Sequence, residues 1–442
     1  MFQLKLKEQN RSEIRNERSE IRFLDSLRDC VVSFWIDSSG GPKELCKNSF
    51  YGVNPKYYIY GSLNEVNLVE IRDQKSEIRN QRSEVRKESH LSPLTSHLFN
   101  VNCFDFIEQK LEEEKNNPDG IFVGYFSYDL FRCRSVVNRT STYPDFFFAY
   151  FDKVEPQSNN PELSSSSILN TRDAILTSNM TDSEYLEKVK QIKEEIKAGN
   201  VYQVNLTREY SIELEGVDDL ELYLKLRSAS PNPYGCYFKT PFVSILSSSP
   251  EEFIYVEPRQ NERYIRTRPI KGTLPENIFE IDSKNQAENI MIVDLERNDL
   301  GRICEYGSVQ AKKLLEIESY KHLNHVVSTV EGRLNPGIKL KKIFEAMFPS
   351  GSITGAPKIA AMKIIEKIEP TKRGAYTGSF GYIRTDGTMN FNILIRTIFV
   401  QSGKIVFNAG GGIVADSEPE SELEEIKLKV KGIISALAEA RQ

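Results

Sequence analysis

The sequence predicts an α+β protein in which large antiparallel β-sheets pack face to face as a sandwich, with helices on the outside. Three observations carry this. The apolar runs are strand-like and end in tight-turn residues, helical stretches fall between them without the regular spacing of βαβ units, and 442 residues exceed the ~250–300 at which one hydrophobic core stops growing. We therefore expect two parts, a β-rich N-terminal portion over residues 1–170 and a larger domain over 171–442.

In chain order, a charged N-terminus contains RSEIRNERSEIR (11–22), nearly repeated as KSEIRNQRSEVR (75–86). Two heptad-like steps are too few to sustain a coiled coil, so these stretches read as surface insertions. Strands are expected over Val31–Ile36, Tyr57–Tyr60, Ile121–Phe126 and Phe146–Phe151, which are rich in β-branched and aromatic residues. Glu155–Ser167 (EPQSNNPELSSSS) has a linker's composition. Thr181 and Glu184 form a capping box, Tyr185, Val189, Ile192 and Ile196 share a helical face, and Gly199 ends it, so a helix spans 182–198. Tyr376–Arg384, Met389–Val400 and Lys404–Asn408, separated by Asp386-Gly387 and Ser402-Gly403, read as an antiparallel meander.

Composition excludes several function classes. With 39% hydrophobic and 27% charged residues the chain is an ordinary globular protein, and a net charge of −5 without a basic stripe argues against nucleic acid. Six scattered cysteines form no CxxC pair, which gives neither a zinc site nor a redox motif. No stretch approaches the ~20 apolar residues of a membrane span, and the first residues lack the apolar core of a secretion signal. A cytoplasmic location away from any membrane is expected.

Four segments carry candidate chemistry. Lys271 stands in TRPIKGT (267–273) between a proline and a glycine; read as a turn, it is either an ordinary surface lysine or a desolvated amine able to act as a nucleophile. After Pro419, Glu422, Glu425 and Lys429 fall on one helical face, following Gly410, Gly411 and Gly412, which read as a turn whose amides can approach an anion. With Glu288 from another helix, the carboxylates suit Mg²⁺, although a Glu-rich helix face is more often solvated. SGSITGAPK (350–358) lacks the spacing of a phosphate loop. His322 and His325 are three residues apart, and a polar contact by His325 is the better reading than zinc ligation.

These segments, in order, resemble the chorismate-utilising family, whose branches include anthranilate, aminodeoxychorismate, isochorismate and salicylate synthases. The resemblance runs from about residue 183 to 435 through YQVNL (202–206), SPEEF (249–253), TRPIKGT, AENIMIVDLERNDLGR (287–302), SGSITGAPK, RGAY (373–376) and DSEPESE (416–422). FWIDSSG (34–40) and GYFSYDL (124–130) resemble the family's N-terminal portion more weakly. The resemblance implies the family's sandwich fold and a chorismate-binding catalytic domain in 171–442. It implies Glu251 as general acid, His325 near the substrate ring, and Glu288, Glu425 and Glu422 as Mg²⁺ ligands. It also implies that Tyr376, Arg396, Lys429, Ser352 and the Gly410–Gly412 amides hold substrate. Lysine in PIKGT, where anthranilate synthases usually carry alanine, implies amination at C4 through a covalent Lys271 intermediate. Gln203 replaces the lysine base with which the isochorismate and salicylate branches activate water. No cysteine here has the setting of a glutaminase nucleophile, so the family implies a separate glutamine amidotransferase subunit supplying ammonia. The alternatives are an anthranilate synthase subunit and a non-catalytic scaffold for the glutaminase.

Overall fold

The computed structural model describes residues 22–45, 49–71, 96–131, 143–157, 175–214, 216–321 and 323–438. The second SEIR segment, all but Arg22 of the first, His322 and most of the Ser-rich stretch lie outside the described residues.

Among the described residues, two antiparallel sheets of ten and twelve strands form the frame. In the first, Gln203–Glu213 pairs with Lys404–Ile413 along ten registered positions, from Val204 opposite Ile413 to Glu213 opposite Lys404. The sheet continues through Thr397–Gln401, Ser244–Ser249 and Tyr234–Lys239 to Ser33–Asp37 and Phe50–Val53. The second runs from Ile270–Pro275 and Leu323–Arg333 through Glu262–Arg268, Glu252–Arg259, Met389–Asn392 and Ser379–Arg384 to Ile121–Phe126 and Phe146–Phe151. Strands from before residue 157 thus extend both sheets.

Phe146–Phe151 shows why the sheets stack. Every residue is buried, because alternate side chains leave opposite faces of a strand that is covered on both. Phe147, Ala149 and Phe151 point between the sheets, where they meet Phe34, Phe238 and Ile245; the Phe147 and Phe238 rings are 5.7 Å apart. Phe146, Phe148 and Tyr150 point outward, into a core with Phe104 and Phe344 from the helices Cys103–Glu113 and Leu340–Met347. Full burial of each such ring contributes roughly 1.5–3 kcal/mol. The outer face of the first sheet is covered in the same way by Asp182–Lys197, Asp219–Ala229, Lys358–Ile368 and Pro419–Ala438. Among the described residues no helix is long and apolar enough to cross a membrane.

Most expected elements appear. Ile121–Phe126 and Phe146–Phe151 are strands with those bounds, and Asp182–Lys197 is a helix whose capping box is formed in both directions. Three expectations need correction. Arg373–Gly378 is a turn, with Thr377 at φ +57°, so the strand begins at Ser379. Met389–Val400 is two strands in different sheets: the chain leaves the second sheet after Asn392, passes Arg396 at φ +50° and enters the first at Thr397. Gly410–Gly412 is no turn but the end of the strand Lys404–Ile413, opposite Thr207, Leu206 and Asn205.

Candidate active site

Lys271 lies on the strand Ile270–Pro275 and not on a surface turn. That strand pairs Ile270 with Val327 and Thr273 with His325, so two intervening residues oppose one, and Gly272 at φ +101° takes up the extra residue. The bulge leaves Lys271 only 9% exposed, with its Nζ 3.0 Å from Glu288 Oε1. Glu288 comes from the helix Ser283–Gly301, and the same oxygen accepts a hydrogen bond of 2.7 Å from Gln203 Nε2. Gln203 Oε1 is buried without a partner. An ion pair this buried is costly to break from either side, because the remaining charge is stranded.

Glu251, next to the start of the strand Glu252–Arg259, is 3% exposed. Its Oε1 accepts from Ile270 N at 3.3 Å, and the nearby Ser352 hydroxyl also favours the ionised carboxylate. Burial dominates over these contacts and over the nearby Lys271 and Arg396 charges, and pushes the carboxyl up to about 7. Glu251 can therefore hold a proton near neutrality, as a general acid must.

His325 is 2% exposed and sits between Thr273 and Arg396: Nδ1 is 3.2 Å from Thr273 Oγ1 and Nε2 is 3.3 Å from Arg396 Nη2. Burial, reinforced by the Arg396 charge, drives its pKa well below the ordinary histidine value. The ring is neutral, and because a guanidinium only donates, Nε2 must accept and Nδ1 carries the hydrogen. The Tyr320 ring packs edge-on against it at 4.9 Å. The sheet crossover at Arg396 is what delivers the guanidinium to this point.

Across the sheet end, an added Cβ on Gly411 would stand 3.2 Å from Glu422 Oε2 and 3.9 Å from Glu425 Oε1, and one on Gly412 would collide with Gln203 and stand 2.9 Å from Glu288 Oε1. The glycines thus make room for carboxylates, and the strand requires them for that reason. Lys429 Nζ bonds to Gly410 O at 2.9 Å and to Glu425 Oε1 at 2.6 Å. Glu422 accepts from Ser417 Oγ at 2.7 Å and has Lys284 at 3.6 Å.

Among the described residues no three of these groups converge closely enough to enclose an ion, since Lys271, Lys429 and Lys284 each take a carboxylate. The donor set nevertheless fits a hard cation. Burial raises the Glu422 pKa and the Glu425 charge raises it further, so the two carboxylates repel across one glycine face. Burial also opposes ionisation of Glu425, but Lys429 overcomes it and holds the carboxyl below its ordinary value.

The structure therefore brings together Lys271, Glu288, Gln203, Glu251, Ser352, His325 and Arg396, and gathers Glu422, Glu425 and Lys429 around Gly410–Gly412. Tyr376 has Tyr185 as a neighbour in common with Glu422 and Glu425. It is buried in the core between the sheets, and its phenol is raised by burial, with Arg373, Glu369 and Tyr210 as charged or titratable neighbours. Thr273, the end of the TRPIKGT stretch, joins the Lys271 group through His325, while Tyr320 and Lys284 carry no local signal in the sequence.

A family model for chorismate binding enzymes matches residues 58–435. The chain is 36% identical over 350 residues to aminodeoxychorismate synthase component 1 of Escherichia coli (strain K12), covering 71% of this chain and 76% of that protein. It is 40% identical over 277 residues to anthranilate synthase component 1 of Aquifex aeolicus (strain VF5), covering 60% and 55%. Several other curated relatives are matched over only 50–59% of their length. Among solved structures, anthranilate synthase component I from Streptococcus pneumoniae TIGR4 superimposes with a TM-score of 0.68 at 24% identity, over 86% of this chain and 90% of that one, a likeness of fold. The matched family model takes in strands of both sheets and every residue of the site, and the chain belongs to the chorismate binding enzyme family.

Proposed function

We propose that this chain is component I of an aminodeoxychorismate synthase, an amino-group transferase that converts chorismate and ammonia to 4-amino-4-deoxychorismate on the way to p-aminobenzoate and folate. The observation that supports this best is Lys271, a buried amine 3.0 Å from Glu288 and close enough to Glu251 for its charge to act on that carboxyl. Once the Lys271 ammonium of the ion pair has given up a proton to solvent, its Nζ adds at C2, the two ring double bonds shift, and the C4–O bond breaks as Glu251 gives its proton to the departing hydroxyl. Ammonia then adds at C4, the double bonds shift back, and the C2–N bond to Lys271 breaks. The balance is chorismate plus ammonia to aminodeoxychorismate plus water. The Arg396 fork, poised by His325, is suited to a substrate carboxylate. Gln203 cannot act as a base, which disfavours water as the nucleophile. Glu288, Glu422 and Glu425 would hold Mg²⁺, which when bound neutralises the ring carboxylate and makes C2 more electrophilic. Ammonia would come from a glutamine amidotransferase subunit.

An anthranilate synthase is the second reading, favoured by the Aquifex relative. The deciding experiment incubates the chain with chorismate, Mg²⁺ and ammonium at mildly alkaline pH, adds aminodeoxychorismate lyase and resolves the aromatic products. p-Aminobenzoate is expected; anthranilate as the main product would overturn the C4 assignment. Glu425→Gln should raise the Mg²⁺ concentration for half-maximal rate by roughly tenfold or more while leaving the melting temperature nearly unchanged. An unaltered Mg²⁺ titration would remove Glu425 from the ligand set.

A further inference from the structure

From Glu251, four buried side chains form one file of polar contacts. The Ser352 hydroxyl lies close enough to the Glu251 carboxyl to favour its ionised form. Ser352 Oγ is 3.1 Å from Ser350 Oγ, with either able to donate, and Ser350 Oγ is 3.2 Å from Glu296 Oε1, which also accepts from Gly351 N at 3.2 Å. Exposure along the file is 3% at Glu251, 4% at Ser352, 4% at Ser350 and 0% at Glu296. The loop that carries the serines is pinned by Thr354 Oγ1 donating to Ser350 O at 2.9 Å. Glu296 Oε2 is buried without a hydrogen-bond partner.

We propose that Glu296 is a positioning residue that acts through Ser350 and Ser352 as the proton reserve of Glu251. This rests on the reading of Glu251 as general acid. In the loaded file the proton sits on Glu296 Oε1, reversing the bond that Ser350 donates to it, and both serine hydroxyls point toward Glu251; as Glu251 gives its proton to the departing C4 hydroxyl, the O–H of Ser352 passes to Glu251, that of Ser350 to Ser352 and that of Glu296 to Ser350. One proton leaves Glu296 and one reaches the hydroxyl. The negative charge appears on Glu296, where the Gly351 N–H and the Lys358 ammonium stabilise it, and not on a carboxylate covered by substrate. When ammonia has added at C4, its surplus proton enters at Glu251 and the file runs backwards. Protons therefore balance over the cycle without a solvent route to either carboxyl.

Charge and burial agree with this direction of use. Glu296 is raised by burial, with Lys358 opposing and Asp299 reinforcing the rise. Glu251 is likewise raised by burial, with Ser352, Lys271, Ile270 N and Arg396 opposing. Both groups are thus neutral at lower pH and able to exchange one proton near neutrality. Glu296 lies inside the DLERNDLGR stretch, which the mechanism above leaves without a role.

The test compares Glu296→Gln and Ser350→Ala with wild type, each with chorismate, Mg²⁺ and ammonium, over pH 6–9 and in H₂O/D₂O mixtures. The amide carbonyl introduced by Glu296→Gln still accepts from Ser350 and Gly351, but the amide releases no proton. Both variants should lose about tenfold or more in kcat with KM for chorismate little changed, the loss growing with pH, and a wild-type proton inventory that is curved should become linear. Wild-type kcat, pH profile and inventory in both variants would overturn the proposal. So would an equal loss at every pH with an unchanged inventory, the mark of mere support for the loop. Ser350→Ala keeps the test open should Glu296→Gln not fold. Glu251→Gln separates the two readings: if it turns over normally the general acid assignment itself fails, whereas if it is inactive while the other two variants are normal, only the reserve fails.

Discussion

Lys271→Ala is expected to abolish formation of 4-amino-4-deoxychorismate, lowering its rate by at least ~10³-fold, because the substitution removes the nucleophile and with it the whole double displacement. Direct attack at C4 would have to expel hydroxide from the same ring position that ammonia enters. Ammonia can still reach C2 in the space left by the lysine, so the residual product expected is a little anthranilate. The variant also strands Glu288. Its carboxylate loses a partner at 3.0 Å and keeps only Gln203, so a lower melting temperature should accompany the loss, with added Mg²⁺ restoring part of it. With wild type, chorismate and Mg²⁺ but no ammonia, mass spectrometry of peptides should find Lys271 carrying chorismate less water. p-Aminobenzoate from Lys271→Ala at more than a tenth of the wild-type rate would remove the lysine from the mechanism.

Much of this was legible in the sequence where local rules decide the outcome. Thr181 and Glu184 announce a helix because both halves of the capping box lie within four residues, and Phe146–Phe151 announces a core strand because five of its six residues are aromatic and none is charged. What failed needed tertiary information. Arg396 sits amid β-branched and aromatic residues that favour continuing the strand, and the change of sheet there is imposed by the stacking of the two layers. Glycine at 410–412 suggested a turn on conformational grounds, whereas the residues are extended; a Cβ on Gly410 would meet the neighbouring strand at Leu206 O and Thr207, and those on Gly411 and Gly412 would crowd Gln203 and the carboxylates. Lys271 was misplaced for a related reason, since a bulge and a turn share the same glycine signal. The grouping of Lys271 with Glu288, and of Glu251 with Ser352, depends on residues 17 and 101 positions apart. It came from the order of the family's motifs, which carry the tertiary arrangement implicitly. Tyr320 and Lys284 belong to none of those motifs, so only the packed structure reveals them.

Glu251→Gln should cost activity and add stability, with opposite dependence on what each measures. Activity is expected to fall by ~10²–10⁴-fold, because an amide cannot protonate the departing hydroxyl. The stability argument follows from burial. The folded protein holds this carboxyl's proton up to about 7, against 4.5 as the ordinary value, so between those pH values the native state binds more protons than the unfolded chain. The group's contribution to stability is therefore fully present below about 4.5 and is lost as pH rises through 7, a change of about 3 kcal/mol at roughly 1.4 kcal/mol per pH unit. Glutamine is neutral throughout, still accepts from Ile270 N through its carbonyl and offers its amide to the Ser352 oxygen. Near pH 5 wild type and variant should melt together, and by pH 8.5 the variant should melt several degrees higher. That pairing distinguishes a buried acid retained for chemistry from one retained for structure, because a structural carboxylate would leave the variant less stable at alkaline pH. Parallel melting curves across this range would mean that Glu251 is ionised in the native protein at neutral pH, and a different group would then have to supply the proton to C4.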